Sequence, residues 1–266
     1  MQEYDQLEVS VDDDVLTIAI DRPEDLNAVN DPLHRELAGV FREAYEIDVR
    51  VVVLTGNGDA FSAGGDVQWM KDNVDDPENF LQTVREGEEI IESIVNLEKP
   101  IIAKVNGDAT GLGATLALFC DIVMMNEEAR IGDPHVKVAL VAGDGGAVIW
   151  PLLTSLNKAK ELLMTGDLIS AEEAKELGLV NHVVPADELD ERTDEMVDKL
   201  ASGPQIAIRY TKKALNGWLE HGNNIALSRG LALEAAGQQH PDHEEAVDAF
   251  LEKRRPNFPS GRDPDE

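Results

Sequence analysis

Three short apolar runs, each followed by a loop and a helical pattern, constrain the fold of this chain most strongly. The runs cover residues 51–54, 101–105 and 121–125, and the first reads VVVL. Continuous apolar strands of this kind are buried on both faces, as in a parallel sheet. The repeated strand, loop and helix therefore predict an α/β fold in which the loops after the strands carry the function.

The chain before and between these runs has its own patterns. Residues 7–11 and 15–20 alternate as the two strands of a hairpin, and a helical region is predicted around 77–96. Asp31 is predicted to be the N-cap of a helix, with Pro32 at its first helical position.

The last third of the chain turns helical. Ser170 and Glu173 predict a capping box ahead of a short helix, and 179–184 is the last predicted strand. From about Ser202 the pattern is helical only, which divides the chain into an α/β core, 1–200, and a helical oligomerisation region, 201–266. Three sets of apolar residues share helical faces there: Ala207, Tyr210, Ala214 and Trp218; Leu227, Leu231 and Ala235; and Ala246, Val247, Phe250 and Leu251, in a helix that Asp242 and Glu245 are predicted to cap. Such helices pack on a partner subunit or form a lid on the chain's own core.

The charge of the chain excludes several partners. It has 53 acidic against 23 basic residues, a formal net charge of −30 spread over the whole length. No basic patch is present that could neutralise nucleic-acid phosphates, and a membrane surface would repel such a chain as well. Two interpretations remain for the acidity: simple solubility by self-repulsion, and adaptation to molar salt, which we favour.

Segments that would place the chain outside a reducing cytoplasm are not found in the sequence. The longest uncharged apolar stretch, 109–120, is too short for a membrane span, and the acidic N-terminus does not resemble a signal peptide. Cys120 is the only cysteine, so no internal disulfide can form. The six histidines form no HExxH motif, and we therefore expect no metal site and a cytoplasmic protein.

Two glycine-rich loops lie between a predicted strand and a helix. Residues 62–66 read SAGGD and residues 106–113 read NGDATGLG. Glycines let backbone N–H groups approach a ligand closely, and two such groups aimed at one point form an oxyanion hole. Neither loop matches GxxxxGK[ST] or GxGxxG, which argues against phosphate binding, although ordinary strand-to-helix turns remain an alternative.

Several motifs have residues and spacings that resemble those of the enoyl-CoA hydratase/isomerase family, also called the crotonase family. The resemblance covers nearly the whole chain and is carried by Asp21-Arg22-Pro23 with Leu26-Asn27-Ala28, the segment 61–67, Lys99-Pro100-Ile101 with 105–111, Thr165-Gly166 with 170–181, and 250–254. It implies a crotonase-like spiral of repeated ββα units with C-terminal trimerisation helices, as a homotrimer or a dimer of trimers.

The resemblance also implies a set of site residues. The oxyanion-hole N–H groups fall on Gly65 and Leu112, with the thioester carbonyl of an acyl-CoA between them. The positions that match the CoA-binding segments are Leu26, Ala28, Ala63, Asp66 and Val67, which would hold the adenine and pantetheine, and Phe250 and Lys253, which would reach CoA on a neighbouring subunit. No cofactor is expected other than coenzyme A, which is part of the substrate.

The chain departs from the family where hydratases carry two glutamates, because these positions match Thr115 and His135. Three residues are candidates for the missing acid and base. Asp144 lies in a glycine turn ahead of a predicted helix, where it is either catalytic or an N-cap. His135 titrates near neutrality but could equally be structural beside Asp133. Thr115 could orient water.

The resemblance implies an enzyme of acyl-CoA and fatty acid metabolism, most simply an enoyl-CoA hydratase. Isomerase, acyl-CoA hydrolase and decarboxylase activities remain alternatives, since one protonating group and an oxyanion hole can serve each. A CoA-binding homologue without catalysis is a further alternative. A serine protease of the related Clp-type fold is disfavoured, because 113–115 contain no serine.

Overall fold

The computed structural model describes residues 3–261, with the side chains of all but Asp75, Pro77 and Glu78. The ends of the two predicted regions, 1–2 and 262–266, lie outside the described residues. The strands are β1 (Leu7–Asp12), β2 (Val15–Ile20), β3 (Val51–Gly56), β4 (Ile101–Val105), β5 (Ala109–Thr110), β6 (Ile122–Asn126), β7 (Arg130–Gly132), β8 (Ile169–Ser170) and β9 (His182–Val184). The helices are α1 (Asp31–Glu46), α2 (Val67–Asp75), α3 (Pro77–Asn96), α4 (Leu112–Phe119), α5 (Gly146–Leu153), α6 (Leu156–Thr165), α7 (Ala171–Glu176), α8 (Leu189–Ala201), α9 (Gln205–Gly222), α10 (Ser228–Gln238) and α11 (Pro241–Leu251).

Six strands form the main sheet in the order β1-β2-β3-β4-β6-β9, and β5, β7 and β8 form a small second sheet. The predicted hairpin is confirmed, because β1 pairs with β2 antiparallel. Every further pairing in the main sheet is parallel, as the apolar runs predict.

Both faces of the sheet are covered, which explains the unbroken apolar run of β3. Val52 and Leu54 belong to a large core on one face, whereas Val51 and Val53 belong to a smaller core on the other. Helix α8 covers that second face through Val197. Adjacent residues of β3 therefore all meet apolar neighbours, since side chains alternate across a strand.

Three predicted boundaries were wrong by a few residues. The N-cap of α1 is Asn30, whose side chain accepts a 3.0 Å hydrogen bond from the Leu33 N–H, so that Asp31 is the first helical residue. The last strand begins at His182, because Leu179 belongs to the turn that ends α7 and its N–H donates to the Ala174 carbonyl.

The N-cap of α11 also differs from the prediction. His240 accepts a hydrogen bond from the Asp242 N–H, and Pro241 occupies the first helical position. Asp242 instead accepts from the Ser260 N–H at 2.9 Å. Its carboxylate therefore anchors the segment after α11.

Helix α9 presents its polar side to the core and its apolar side outward. Lys212 Nζ lies 2.7 Å from Asp121 Oδ2 and donates to the Lys99 carbonyl, and Asn216 Nδ2 donates to the Val95 carbonyl. On the other side of α9, Tyr210 and Trp218 are 65% and 69% exposed. This predicted face is therefore no lid on the chain's own core, whereas Leu227 and Leu231 of the second predicted face are buried.

No helix in the described range 3–261 combines the length and the apolar character that crossing a membrane requires.

Candidate active site

The two glycine-rich loops meet because they follow neighbouring parallel strands. The first follows β3 and the second follows β4, and the Thr110 N–H donates to the Ser62 carbonyl at 2.9 Å. Gly64 has a φ of +81°, and a Cβ there would lie 2.8 Å from the Thr110 carbonyl oxygen. Only glycine satisfies both the backbone angle and this close approach.

The loops bring Gly65 and Leu112 to the wall of one cavity. Leu112 is the first residue of α4, so its N–H is one of the donors that a helix leaves free at its start. Neither this N–H nor that of Gly65 donates to an acceptor in residues 3–261. The two residues predicted to form the oxyanion hole therefore line one cavity, and each keeps a free backbone donor in the described part of the chain.

Two adjoining cavities share Gly65, Met70 and His135. The inner chamber has a volume of about 60 Å³ and the outer cleft about 330 Å³. The residues of the inner chamber that bear on chemistry are His34, Gly65, Leu112, His135, Asp144 and Glu234. The outer cleft is lined on one side by Ala63, Gly65 and Val67 and on the other by Lys137, Phe250 and Arg254.

His135 lies between two carboxylates in the inner chamber. Its Nδ1 is hydrogen-bonded to Asp133, and its Nε2 lies 3.5 Å from Asp144 Oδ2. Thr115 Oγ1 donates to the other oxygen of Asp144 at 3.4 Å. The structure thus brings together all three predicted acid/base candidates. Asp144 does not cap α5, whose N-cap is Gly145, so the capping alternative was wrong.

Burial and charge shift the pKa values of this cluster. Burial raises the pKa of Asp144 above its usual range, although the charge of His135 opposes the shift. Burial alone would lower the pKa of His135, but Asp133 and Asp144 hold it well above the usual range. The histidine therefore carries a proton at neutral pH, and Asp144 holds its own proton more tightly than an exposed aspartate.

Glu234 of α10 is a site residue that the sequence reasoning missed. It lines the inner chamber, and its buried Oε2 has no hydrogen-bond partner in the described part of the chain. Burial raises its pKa to about 8, so the carboxyl is protonated at neutral pH and can donate a proton. Its position in the small apolar run LALEAAG was the available signal for a buried carboxyl.

A close backbone contact brings α10 to the loop of Asp144. A Cβ on Gly143 would lie 2.5 Å from the Gly230 carbonyl oxygen and 2.6 Å from Glu234 Oε2. Glycine at position 143 therefore allows the loop and the helix to approach each other, which places Glu234 near Asp144.

The cluster also has the atoms of a divalent-cation site. One ligand atom each from Asp133, His135 and Asp144 lies within 4.8 Å of the others. The His135 ring is already oriented by its hydrogen bond to Asp133, an arrangement that suits proton transfer. We therefore interpret these groups as acid/base residues.

Several predicted CoA-binding residues lie at the outer cleft. Ala63, Val67 and Phe250 line it, and Lys137 and Arg254 supply cations that the sequence analysis did not single out. Asp66 lies next to the cleft as the N-cap of α2, where its side chain accepts from the Gln68 and Trp69 N–H groups.

Three further predicted residues line neither cavity. Leu26 is exposed at a separate surface depression that also includes Asp108, and Asp108 forms a 2.7 Å ion pair with Arg130. The carbonyl of Ala28 accepts from Arg22. Lys253 is exposed after α11 and lines neither cavity, so its predicted contact with CoA on another subunit stays a prediction.

Comparisons with known proteins identify the same family. Residues 10–261 match the family model for enoyl-CoA hydratase/isomerase. The short-chain-enoyl-CoA hydratase of Clostridium acetobutylicum is 35% identical over 246 residues, which cover 91% of this chain and 92% of that protein. A crystal structure of an enoyl-CoA hydratase/isomerase from Mycobacterium paratuberculosis has a TM-score of 0.89 at 39% identity. The similarity covers 91% of this chain and 97% of that one.

A β-diketone hydrolase from the cyanobacterium Anabaena, bound to (S)-3-oxocyclohexyl acetic acid, is a further structural neighbour. It has a TM-score of 0.82 at 32% identity, and the similarity covers 89% of this chain and 95% of that one. The predicted crotonase fold is therefore confirmed, and the chain belongs to the enoyl-CoA hydratase/isomerase family of enzymes.

Proposed function

We propose that this protein adds water across the double bond of a 2-enoyl-CoA thioester. The observation that carries the proposal is the position of the Gly65 and Leu112 N–H groups. Gly65 and Leu112 both line the inner chamber, which holds the acid and base groups, and Gly65 also lines the larger outer cleft. A thioester carbonyl at this junction would place the acyl chain inside and the CoA outside.

The chemistry requires a place for negative charge. When water adds to the β-carbon, an electron pair moves through the α-carbon onto the thioester oxygen, where the two N–H groups stabilise the enolate. The α-carbon then takes a proton. Asp144 supplies it, because burial raises its pKa and His135 next to it can restore the proton.

The outer cleft supplies contacts for CoA. Lys137 lies on its wall, where a cation offsets the repulsion between a chain of net charge −30 and the anionic phosphates of CoA, whereas the charge of Arg254 is already paired with Glu245 and Glu252. Phe250 adds an apolar surface for the pantetheine or adenine. Leu26, Ala28 and Lys253 are assigned to CoA by the resemblance alone.

Incubation with a panel of 2-enoyl-CoA thioesters in heavy water, followed by mass spectrometry, tests this function. Hydration adds one water molecule and places one deuterium on the α-carbon of the product. Deuterium uptake without added water would identify an isomerase instead. A protein that binds CoA thioesters tightly and changes none of them would contradict the enzymatic proposal.

Cleavage of a 1,3-diketone by water is a second candidate. The chamber replaces the family's paired glutamates with His135, Asp144 and Glu234, and the β-diketone hydrolase from Anabaena has the same fold. Water would add to one ketone, the carbon–carbon bond would break, and the second carbonyl would become an enolate at the same two N–H groups. Turnover of cyclic 1,3-diketones, with none of enoyl-CoA, would establish this activity.

We also propose that the protein assembles as a homotrimer or a dimer of trimers through the exposed apolar face of α9. This face comprises Ile206, Tyr210, Ala214 and Trp218, and it stays uncovered on the single chain. Trp218→Glu is expected to shift the mass measured by light scattering toward the monomer, whereas Glu220→Ala on the same helix leaves it unchanged. A monomeric wild-type protein would contradict the proposal.

The acidic surface is the basis for proposing a cytoplasm of high salt. A net charge of −30 repels itself unless counter-ions screen it. Dialysis from molar to millimolar KCl is then expected to reduce the folded circular dichroism signal. An unchanged signal would mean that the charge serves solubility alone.

A further inference from the structure

A second buried histidine–carboxylate pair lines the inner chamber. His34 lies on α1 and Glu86 on α3, and these two helices pack against each other. His34 Nδ1 lies 2.9 Å from Glu86 Oε2, and both side chains are buried. Neither residue belongs to the glycine loops or to the cluster around His135.

Glu86 is held in its ionised form. Burial alone would raise its pKa, but hydrogen bonds from His34 and from Gln82 Nε2, at 3.0 Å, lower it below the usual range. Arg35 Nε lies 3.7 Å from the same carboxylate. An ionised Glu86 only accepts hydrogen bonds, so the His34 ring carries its proton on Nδ1.

This hydrogen bond occupies Nδ1 and leaves Nε2 as the ring nitrogen that can exchange a proton with the chamber. That nitrogen has no hydrogen-bond partner among residues 3–261, and His34 lines the chamber together with Gly65 and Leu112. The Trp69 ring, whose centroid lies 5.3 Å away, packs against one side of the imidazole. An imidazole that a buried carboxylate orients through one nitrogen can act as a general base through the other.

The two histidines of the chamber therefore differ in their free nitrogen. His135 Nε2 faces the carboxylate of Asp144 at 3.5 Å, whereas His34 Nε2 has no such partner. Carboxylates on both sides of His135 raise its pKa well above the usual range, whereas His34 is hydrogen-bonded to a carboxylate on its Nδ1 side only.

We propose that His34 is the base that activates the water nucleophile, with Glu86 as its positioning residue. This inference rests on the proposed hydration. The His34 Nε2 takes one proton from water while the oxygen bonds to the β-carbon, and the α-carbon receives a proton from Asp144. The proton on His34 then returns through solvent to Asp144. Each turnover therefore consumes one water molecule.

Several charged groups lie around His34. Glu86 and Arg35 face it from α3 and α1, and Asp144, His135 and Glu234 line the chamber with it. His243 also lines the chamber, where its Nδ1 is hydrogen-bonded to the Val138 carbonyl. His221 of α9 is exposed and lines neither cavity, so His221→Gln is a matched control for His34→Gln.

Steady-state kinetics of the two glutamine variants on a 2-enoyl-CoA thioester test the proposal. His34→Gln is expected to lower kcat about 10²-fold to 10⁴-fold with little change in KM, whereas His221→Gln leaves kcat within about 3-fold. Glu86→Gln should lower kcat less than His34→Gln and change the pH profile of kcat, because an amide replaces the charged acceptor at His34 Nδ1.

Two further measurements separate chemistry from folding. Added imidazole should partly restore turnover to His34→Ala, which a misfolded variant would not show. In the wild-type protein, nitrogen NMR over a range of pH should show that the His34 ring gives up its proton from Nε2 and keeps the one on Nδ1. A His34→Gln variant as active as His221→Gln, or a ring that loses the Nδ1 proton instead, would overturn the proposal. A wild-type protein that hydrates no enoyl-CoA would instead overturn the proposed function.

Discussion

The inner chamber and the outer cleft share three residues but differ in chemistry. The chamber holds buried titratable groups, among them His135, Asp144 and Glu234, whose pKa values are raised by burial or by close charges. The cleft is several times larger and combines apolar walls with the cations Lys137 and Arg254.

The difference separates the tasks of binding and catalysis. Buried groups with shifted pKa values suit proton transfer but make poor attachment points for a large anion. Exposed cations attract phosphates without contributing to bond making. Changes in the chamber should therefore act on kcat, and changes in the cleft on KM.

The largest effect is expected for Asp144→Asn, because an amide cannot deliver a proton. We expect kcat to fall about 10²-fold to 10⁴-fold with KM nearly unchanged. Thr115→Val removes only the 3.4 Å hydrogen bond to Asp144 and should cost less than about 10-fold. Initial rates on enoyl-CoA measure both, and an Asp144→Asn variant within 10-fold of wild type would exclude Asp144 as the acid.

A smaller effect, confined to KM, is expected for Lys137→Ala. Loss of one exposed cation from the cleft should raise KM about 3-fold to 10-fold and leave kcat unchanged, and the effect should shrink as KCl is increased. Lys158→Ala, which changes an α6 lysine paired with Glu161, is the control. A fall in kcat with constant KM would mean that the cleft and the chamber are not separate in function.

The smallest effect concerns stability. The folded-state pKa of Glu234 is about 8 against a usual 4.5, so the folded protein binds a proton that the unfolded chain has lost. The free energy of unfolding should therefore fall as pH rises from about 5 to about 8. The raised pKa of His135 acts in the same direction, because the stability it provides at low pH is lost above its ordinary pKa.

Denaturant unfolding of Glu234→Gln at several pH values measures this slope. The variant should be less sensitive to pH than wild type over the same range, because glutamine does not titrate. Glu220→Gln makes the same substitution on the exposed surface of α9 and should keep the wild-type slope. An equal slope in Glu234→Gln and wild type would contradict the raised pKa.

The sequence predicted the sheet and its loops well, because their signals are local. The apolar run of β3 and the glycines at 64 and 65 reflect burial and close backbone approach at those same positions. The N-cap of α1 was harder to predict from the sequence. Asn30 and Asp31 both have side chains that cap helices well, and packing decides between them.

The chamber was only partly predictable, since it is assembled from distant segments. Asp144 and His135 belong to one stretch of chain and were found as candidates. Glu234 and His34 come from α10 and α1, far from the glycine loops in the sequence. Only the packing of these helices against the loops reveals that both side chains line the chamber.

The wall of the inner chamber offers the most direct test of the proposed function, through the backbone N–H of Leu112. Proline is tolerated at the first position of a helix, so Leu112→Pro removes the N–H of the oxyanion hole and keeps α4. Leu112→Ala shortens the side chain and keeps the N–H.

We predict that Leu112→Pro lowers kcat about 10²-fold to 10³-fold relative to Leu112→Ala, with both variants equally folded by circular dichroism. Equal kcat values in the two folded variants would contradict the assignment of an oxyanion hole to Gly65 and Leu112.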